Sequence, residues 1–148
     1  MSMSKEKGAR GETQVRDYLR QVTGLEFERT PMSGASGIKG MKGDLFIPNY
    51  FNKFTVEVKF YEGDELGSLV LGGKGIFKDW WEQAIRQAKD NNNRPMVIYK
   101  WNRSKLYLVV ENQLDLGDNY IEISRLKCKV YMADEVDLKK LMTVEMKV

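Results

Sequence analysis

The chain has 148 residues, enough for one domain with a well-packed core and too few for two. Hydrophobic residues make up 42% and charged residues 30%, and the net charge is only +3, a balance that excludes a disordered chain. No apolar run approaches the roughly 18 residues of a membrane span, and the N-terminus lacks a signal-peptide core, so we expect a cytoplasmic protein without a membrane partner. The lone Cys128 excludes an internal disulfide, and the absence of histidine excludes Ser-His-Asp, Cys-His and HNH-type catalysis.

The order of the predicted elements is helix, three strands, helix and further strands. Apolar spacing predicts a first helix over 5–22 that ends at Gly24, and a second helix around 80–88. Glycine-rich loops are expected over 33–43 and 62–75. Strands are predicted over 25–30, 44–48, 54–61, 95–101, 105–110, 120–123 and 128–132, followed by a short helix over 134–141. This pattern predicts an α/β fold with a mixed β-sheet flanked by helices. We expect a single domain over 1–148, with a core over about 5–110 and an extension over 111–148 whose role the sequence does not define.

The strand over 54–61 carries the most informative pattern. Phe54, Val56, Val58 and Phe60 alternate onto one face, so that Thr55, Glu57 and Lys59 share the other. The acid and the base are therefore neighbours, about 6.6 Å apart along the strand. A central strand carries two such groups only where that face opens on a cleft or where they are paired, because unpaired buried charges are costly. The alternative is a surface Glu-x-Lys ladder of salt bridges.

Asp44 opens the preceding strand, thirteen residues before Glu57. Two antiparallel strands joined by a short turn bring these carboxylates close together, and a divalent cation between them relieves their repulsion. Mg²⁺ prefers oxygen ligands and retains several waters, so the two carboxylates and a backbone carbonyl, for which Val58 is the candidate, are sufficient. A metal-bound water beside Lys59 is a suitable nucleophile for phosphodiester hydrolysis.

The segments Gly43-Asp44 and Val56-Glu57-Val58-Lys59 resemble the PD-(D/E)xK nuclease superfamily. The resemblance implies a restriction-endonuclease-like core in which Asp44, Glu57 and Lys59 form the metal and catalytic site. Gly43 stands where the superfamily's name has proline. Further matches look like the archaeal-type Holliday-junction resolvases: Lys7-Gly-Ala-Arg-Gly-Glu12, then Phe27-Glu-Arg29-Thr, and Met32-Ser33-Gly34. That likeness implies supporting roles for Glu12, Arg29 and Ser33, and the segment Trp80-Trp-Glu-Gln83 implies one for Gln83.

Each supporting residue also has a structural interpretation. Glu12 either completes a metal site or caps the first helix through its early amides. Arg29 either clamps a phosphate or pairs with Glu26 or Glu28. Ser33 could belong to an ordinary turn, and Gln83 could be an exposed helical glutamine. Of Trp80 and Trp81, one is expected in the core and the other on a stacking or dimer surface, since adjacent helical positions face different directions.

The sequence therefore predicts a Mg²⁺-dependent DNA endonuclease, with Mn²⁺ as a substitute, that cuts four-way junctions. The predicted catalytic residues are Glu12, Asp44, Glu57, Lys59 and Gln83, and the predicted metal ligands are Asp44, Glu57, Val58 and Glu12. Basic residues are concentrated in the first twenty positions and in the glycine loops, which favours contacts with backbone phosphates, although a solvated basic face would look the same. The predicted DNA-binding residues are Lys7, Arg10, Arg29, Ser33, Lys39, Lys42 and Lys74.

Symmetric cutting of a junction favours a homodimer, and a small enzyme of this kind suits a prokaryotic cell or a virus-infected host cell. Two alternatives stay open. One is a repair or replication nuclease acting on flaps, ends or single strands, and the other is a catalytically inactive nucleic-acid-binding module. The inactive module is disfavoured because paired carboxylates weaken binding to a phosphate chain unless a cation offsets them.

Overall fold

The computed structural model describes residues 2–31, 42–61, 76–101 and 104–147, with side chains from residue 9 onward. Three helices and nine strands are described in these ranges. The helices are α1 (Ser2–Thr23), α2 (Phe77–Asn91) and α3 (Leu138–Leu141). The strands are β1 (Glu28–Arg29), β2 (Leu45–Phe46), β3 (Tyr50–Phe51), β4 (Phe54–Tyr61), β5 (Arg94–Trp101), β6 (Tyr107–Glu111), β7 (Tyr120–Ile123), β8 (Cys128–Met132) and β9 (Glu145–Met146).

Seven of these strands form one mixed sheet in the order β1-β2-β4-β5-β6-β8-β7. β4 and β5 are parallel and joined by α2, whereas every other neighbouring pair in the sheet is antiparallel. The parallel pair is in register over its full length, with Glu57 opposite Val97 and Lys59 opposite Tyr99. The predicted α/β class with a mixed sheet is confirmed. Three strands of this sheet precede α2, as expected from the sequence.

Helix α1 covers one face of the sheet. Val15 and Leu19 are fully buried and share a core with Val56 and Val58 of β4, while Tyr18 packs at its edge. Val22, which the apolar spacing of the sequence placed with Val15 and Leu19, is instead 37% exposed because it lies in the last turn, beyond the edge of the core. Gly24 ends the helix as predicted, with φ +75° and its N–H donating to the Arg20 carbonyl at 2.9 Å.

Helix α2 covers the opposite face and forms a second core with β5, β6 and β8. Both of its adjacent tryptophans are buried: Trp80 is 3% and Trp81 1% exposed. The expectation that one of them forms a surface is therefore wrong. Trp80 packs among aromatic rings that include Tyr99, and Trp81 donates from its indole N–H to the Leu126 carbonyl at 2.9 Å. Both tryptophans are buried because the sheet covers Trp80 and the turn after β7 packs against the side of α2 that carries Trp81.

The segment after residue 110 is continuous with the rest of the fold. β7 and β8 extend the large sheet, and Tyr131, Leu138 and Met142 join the same core as Val56. β9 returns to pair with β3 in a separate two-stranded ribbon. The helix expected over 134–141 is shorter than predicted: a 3₁₀ turn covers Ala133–Glu135, and α3 begins only after Asp137, whose side chain accepts a hydrogen bond from the Lys140 N–H.

No helix within the described ranges has both the length and the apolar character needed to cross a membrane.

Candidate active site

Asp44 and Glu57 are brought together by the pairing of β2 with β4. Leu45 lies opposite Val56, and the Asp44 N–H donates to the Val56 carbonyl at 2.8 Å. The Asp44 carboxylate accepts a hydrogen bond from the Val58 N–H, with Oδ2 at 2.7 Å from the nitrogen. The backbone of β4 therefore holds both the main chain and the side chain of Asp44.

Gly43 adopts a conformation that proline could not. Its φ is +96°, whereas the proline ring fixes φ near about −65°. A Cβ atom at this position would lie 2.8 Å from Thr55 Cγ2 and 3.2 Å from the Val56 carbonyl oxygen. Glycine stands before the acid here because the chain passes directly against β4 with a left-handed backbone.

Glu57 is a buried acid with an unusual protonation equilibrium. Glu57 is only 3% exposed, and its Oε1 has no hydrogen-bond partner among the described residues. Burial and, after it, the neighbouring Asp44 carboxylate, to which Glu57 is hydrogen bonded, raise the pKa of Glu57 to about 9, while Lys59 acts in the opposite direction. Without a cation, the Glu57 carboxyl therefore retains its proton over the physiological pH range.

Glu12 lies in the middle of α1, ten residues after the helix begins at Ser2, so it does not cap the first turn. Burial and the Asp44 carboxylate raise the pKa of Glu12, and Arg29 and Lys59 lower it. Its carboxylate accepts a hydrogen bond from Arg29 Nε at 3.2 Å. α1 approaches β4 closely at this point, because Gly11 packs against the Phe60 ring, where a Cβ would lie 3.0 Å from the ring.

The pairing of Arg29 differs from the ion pair with Glu26 or Glu28 that the sequence offered. Its described partner is Glu12 on α1 rather than a neighbouring acid on its own strand. Glu28, the alternative partner, instead forms an ion pair with Arg20 at the C-terminal end of α1. The Thr30 N–H, next along the chain, donates to the Asp44 carbonyl at 2.9 Å, which ties β1 to the acid. Arg29 thus lies at the site through Glu12, and its predicted phosphate contact stays a prediction.

Lys59 and Gln83 meet across the interface between β4 and α2, with Lys59 Nζ 3.5 Å from Gln83 Oε1. Because α2 runs antiparallel to β4, side chains of the two elements meet at several further points along their length. Tyr61 packs on Trp80, with ring centroids 4.7 Å apart, and Thr55 accepts a hydrogen bond from the Asn91 side chain at 2.8 Å. Two residues of a strand span about 6.6 Å and four residues of a helix about 6 Å, so the two elements stay in step.

The carboxylate pair fits a hard divalent cation. Asp44 and Glu57 are adjacent, and the unpartnered Oε1 of Glu57 is the kind of buried oxygen that a cation satisfies. Among the described residues, however, no group of three or more acidic, cysteine or histidine side chains has the arrangement of a metal site. The third acid, Glu12, is engaged by Arg29. Val58 has its N–H directed at Asp44, and its carbonyl as a ligand stays a prediction.

The predicted DNA-binding residues divide into two groups. Among the described side chains, Arg10 is exposed on α1, and Lys42 is half-buried and lines a groove beside Gln83. Four predictions concern positions that lie outside the described side chains: Lys7, Ser33, Lys39 and Lys74.

One residue that supports the site, Asn91, was not identified from the sequence. The polar run that ends α2 indicated only a helix terminus, yet the Asn91 side chain makes two hydrogen bonds with the backbone of Lys42, each 3.0 Å long. Asn93, in the same run, accepts from Thr55 and donates to the Asn52 carbonyl. The run of consecutive asparagines was the available signal, because three amide side chains after a helix exceed what one cap requires.

Comparison with known proteins is consistent with this geometry. The family described as "Phage putative PDDEXK endonuclease" matches residues 3–148, nearly the whole chain. This chain belongs to that family. The chain is also 40% identical over 121 residues to "Protein D14" of Escherichia phage T5, a match that covers 78% of the chain and 76% of the relative. No solved structure matches it at a significant level.

Membership confirms the predicted superfamily, and the seven-stranded mixed sheet flanked by helices is consistent with a restriction-endonuclease-like fold. The coarse function follows as well: membership of this family indicates a nuclease, and PD-(D/E)xK nucleases typically work with divalent metals. The narrower likeness to archaeal-type junction resolvases stays a prediction.

Proposed function

We propose that the protein is a Mg²⁺-dependent, structure-selective DNA endonuclease whose substrate is the four-way junction. The observation that carries the proposal is the buried Glu57 carboxyl beside Asp44, with one oxygen unpartnered among the described residues and a lysine two positions along the same strand face. A binding protein gains nothing from two adjacent acids at a phosphate site, because they repel the ligand unless a cation is present.

Asp44 and Glu57 are the proposed ligands of the cation, with the Val58 carbonyl and Glu12 completing the set. Asp44 is oriented before any cation binds, since the Val58 N–H fixes one of its oxygens. Glu12 accepts the Arg29 hydrogen bond through Oε1, which leaves its second carboxylate oxygen for the cation and the terminal nitrogens of Arg29 for a phosphate. The chemistry that Mg²⁺ supplies at such a site is polarisation of a phosphoryl oxygen and a lowered pKa of bound water.

Lys59 and Gln83 are proposed to act on the attacking water and the scissile phosphate. The Lys59 ammonium has three donors, and one is directed at the Gln83 amide oxygen 3.5 Å away. The remaining donors are available to orient water or to bind a non-bridging phosphate oxygen. Gln83 thereby positions the lysine, and its own amide NH₂ can hold a second oxygen.

Recognition in this proposal relies on charge and shape rather than on base edges. The phosphate contacts are assigned to Lys7, Arg10, Arg29, Ser33, Lys39, Lys42 and Lys74. Cutting two strands of a symmetric junction requires two sites, and we therefore propose a homodimer. In support, β7 is an edge strand of the described sheet and exposes Tyr120 and Ile121, the latter to 48%.

One observation favours a second candidate, a nuclease that cuts flaps or single strands. Tyr61 follows Lys59 on the same face of β4 and is 37% exposed, with its ring packed on Trp80. An aromatic ring two positions from a catalytic lysine could stack on an unpaired base beside the cut, which a fully paired duplex does not offer.

Cleavage of end-labelled substrates distinguishes these functions. A four-way junction, a matched duplex, a flap and a single strand are incubated with Mg²⁺, Mn²⁺ or chelator, using wild type, Glu57→Gln and the exposed control Glu82→Gln on α2. We expect paired symmetric nicks on the junction that disappear with chelator and with Glu57→Gln and persist with Glu82→Gln. Cutting of the flap or single strand alone would favour the second candidate, and binding without cutting in either metal would refute the catalytic proposal.

A further inference from the structure

A groove adjoins the catalytic residues along the side of α2. Its volume is about 420 Å³, and it begins at Gln83, the residue that contacts Lys59. The described residues that line it are Lys42, Gln83, Arg86, Gln87, Lys89 and Asp90. Two of its basic residues, Arg86 and Lys89, were not identified from the sequence.

The charge of this groove is strongly one-sided. Three cationic side chains, those of Lys42, Arg86 and Lys89, face a single carboxylate, Asp90. Arg86 and Lys89 are exposed, and neither forms an ion pair with another residue of the described ranges. The whole chain carries only three more basic than acidic residues, so such an excess within one small groove is a local feature. It fits an anionic ligand.

The length of the groove fits a short piece of one nucleic-acid strand. From Gln83 to Asp90 the helix rises about 10.5 Å, at about 1.5 Å per residue. A strand of B-form DNA advances about 3.4 Å per phosphate, so this distance corresponds to about three nucleotides. A nucleotide at the Gln83 end of the groove would lie next to Lys59, and Arg86 and Lys89 follow on successive turns of α2.

Lys42 is held at this groove by a rigid connection. Its backbone N–H and carbonyl are both hydrogen bonded to the Asn91 side chain, so the residue is tied to the C-terminal end of α2 and not only to the loop before Asp44. The catalytic acid and the groove are thus joined through two adjacent peptide units. Whatever occupies the groove is positioned relative to Asp44.

We propose that this groove binds the backbone phosphates of the DNA strand that is cut, over about three nucleotides on one side of the scissile bond, with Arg86 and Lys89 as phosphate-binding residues beside Lys42. The proposal rests on the function proposed above and adds the path of the strand. Recognition here is independent of base sequence, because the groove offers cations and amides to phosphates and no described feature that distinguishes bases.

The test is salt-dependent DNA binding by the full-length protein in the cleavage-deficient Glu57→Gln background, with chelator present. The double variant Arg86→Gln/Lys89→Gln is compared with a control that removes two exposed charges elsewhere, Lys78→Gln/Lys139→Gln. Each phosphate contact contributes about 0.9 to the slope of log Kd against log salt, so the groove variant should lower the slope by about two and weaken binding about thirtyfold at about 0.15 M salt. The control should match the Glu57→Gln parent.

Several outcomes would overturn the proposal, and they separate it from the function on which it rests. If the groove variant has the same slope and Kd as the control, the groove does not lie on the path of the DNA. If the wild-type protein still cleaves DNA in that case, the proposed endonuclease function is unaffected. A wild-type protein that neither binds nor cuts any of the DNA substrates refutes the proposed function, and the groove proposal with it. Unfolding midpoints of all variants, measured in urea, establish that an altered slope arises from a folded protein.

Discussion

The Asn91 side chain forms two hydrogen bonds of 3.0 Å with the backbone of Lys42, although the two residues are 49 positions apart in the chain. The same amide donates to Thr55 at 2.8 Å, next to the start of β4. One side chain at the end of α2 therefore links the peptide before Asp44 to β4. The acid is positioned from both sides, by Asn91 through Lys42 and by Val58 through its N–H.

Loss of this link should affect both stability and cleavage. We expect Asn91→Ala to lower the free energy of unfolding by about 1–3 kcal/mol, because it leaves the part-buried backbone groups of Lys42 without partners. Single-turnover cleavage should slow without being abolished, since the Val58 contact remains. Urea denaturation and single-turnover kinetics provide the measurements. Asn119→Ala, which removes one exposed hydrogen bond to Glu135, is the control and should change neither quantity appreciably.

Gly43 should tolerate substitution far less well than Gly24. Both have positive φ, +96° and +75°, so alanine at either costs about 1–2 kcal/mol of backbone strain. A Cβ at Gly24 has nothing within 4 Å, whereas one at Gly43 would lie 2.8 Å from Thr55 Cγ2. Gly43→Ala should therefore destabilise by an additional 1–3 kcal/mol or so, the usual range for overpacking, and should impair cleavage. Equal unfolding free energies for the two variants would contradict this account of the site.

Because the pKa of Glu57 is raised to about 9, we expect the stability of the metal-free protein to depend on pH. Between pH 4.5 and about 9 the unfolded chain releases the Glu57 proton while the folded, metal-free protein retains it. Stability from this group is thus fully present below the unfolded pKa and declines as pH rises through that window. In chelator, wild type should lose unfolding free energy from pH 5 to pH 9 more steeply than Glu57→Gln, and the exposed variant Glu82→Gln should follow wild type. Parallel curves for all three proteins would mean that Glu57 ionises normally.

Addition of a divalent cation provides a second readout of the same group. A cation that binds the Asp44 and Glu57 carboxylates must displace the retained proton. Calorimetry with Mg²⁺ or Mn²⁺ at pH 7 should therefore show proton release, detected as a dependence of the apparent enthalpy on the buffer. Glu57→Gln should abolish this dependence together with binding.

Lys59→Gln should slow cleavage much more than it weakens DNA binding. The ammonium is proposed to act on the reacting water and phosphate, and groups that transfer or orient a proton typically contribute about 10²–10⁴-fold. Single-turnover rates at saturating DNA measure this contribution. Lys53→Gln, which removes an exposed lysine just before β4, is the matched control. A single-turnover rate for Lys59→Gln within threefold of the wild-type rate would show that the lysine has no part in the proposed mechanism.

Cys128 should react with thiol reagents only when the protein opens. The residue is fully buried in the α2-side core, and burial raises its pKa to about 12, so the thiolate is scarce at pH 8. Iodoacetamide should label it slowly in buffer and rapidly in urea. Because it is the single cysteine of the chain, mass spectrometry reads the modification without ambiguity. Rapid labelling of the native protein would show that the core around β8 opens readily.

The sequence by itself determined most of the large sheet's strands, the two long helices and the proximity of the two central acids. The predicted strand over 54–61 coincides with β4, and the strands over 120–123 and 128–132 coincide with β7 and β8. Local information is sufficient there, because the period of apolar residues defines an element and the face that it buries. Asp44 and Glu57 were also within reach of the sequence, because a short turn between antiparallel neighbours fixes their separation.

Only the tertiary structure decided which distant residues support the site. Arg29 pairs with Glu12 rather than with its neighbour Glu28, Asn91 holds Lys42, and β3 pairs with β9 at the far end of the chain. These contacts depend on how α1 and α2 are stacked on the two faces of the sheet, and no period in the sequence encodes that arrangement. The burial of both Trp80 and Trp81 has the same cause. A helix covered on two sides buries positions that an isolated amphipathic helix would expose.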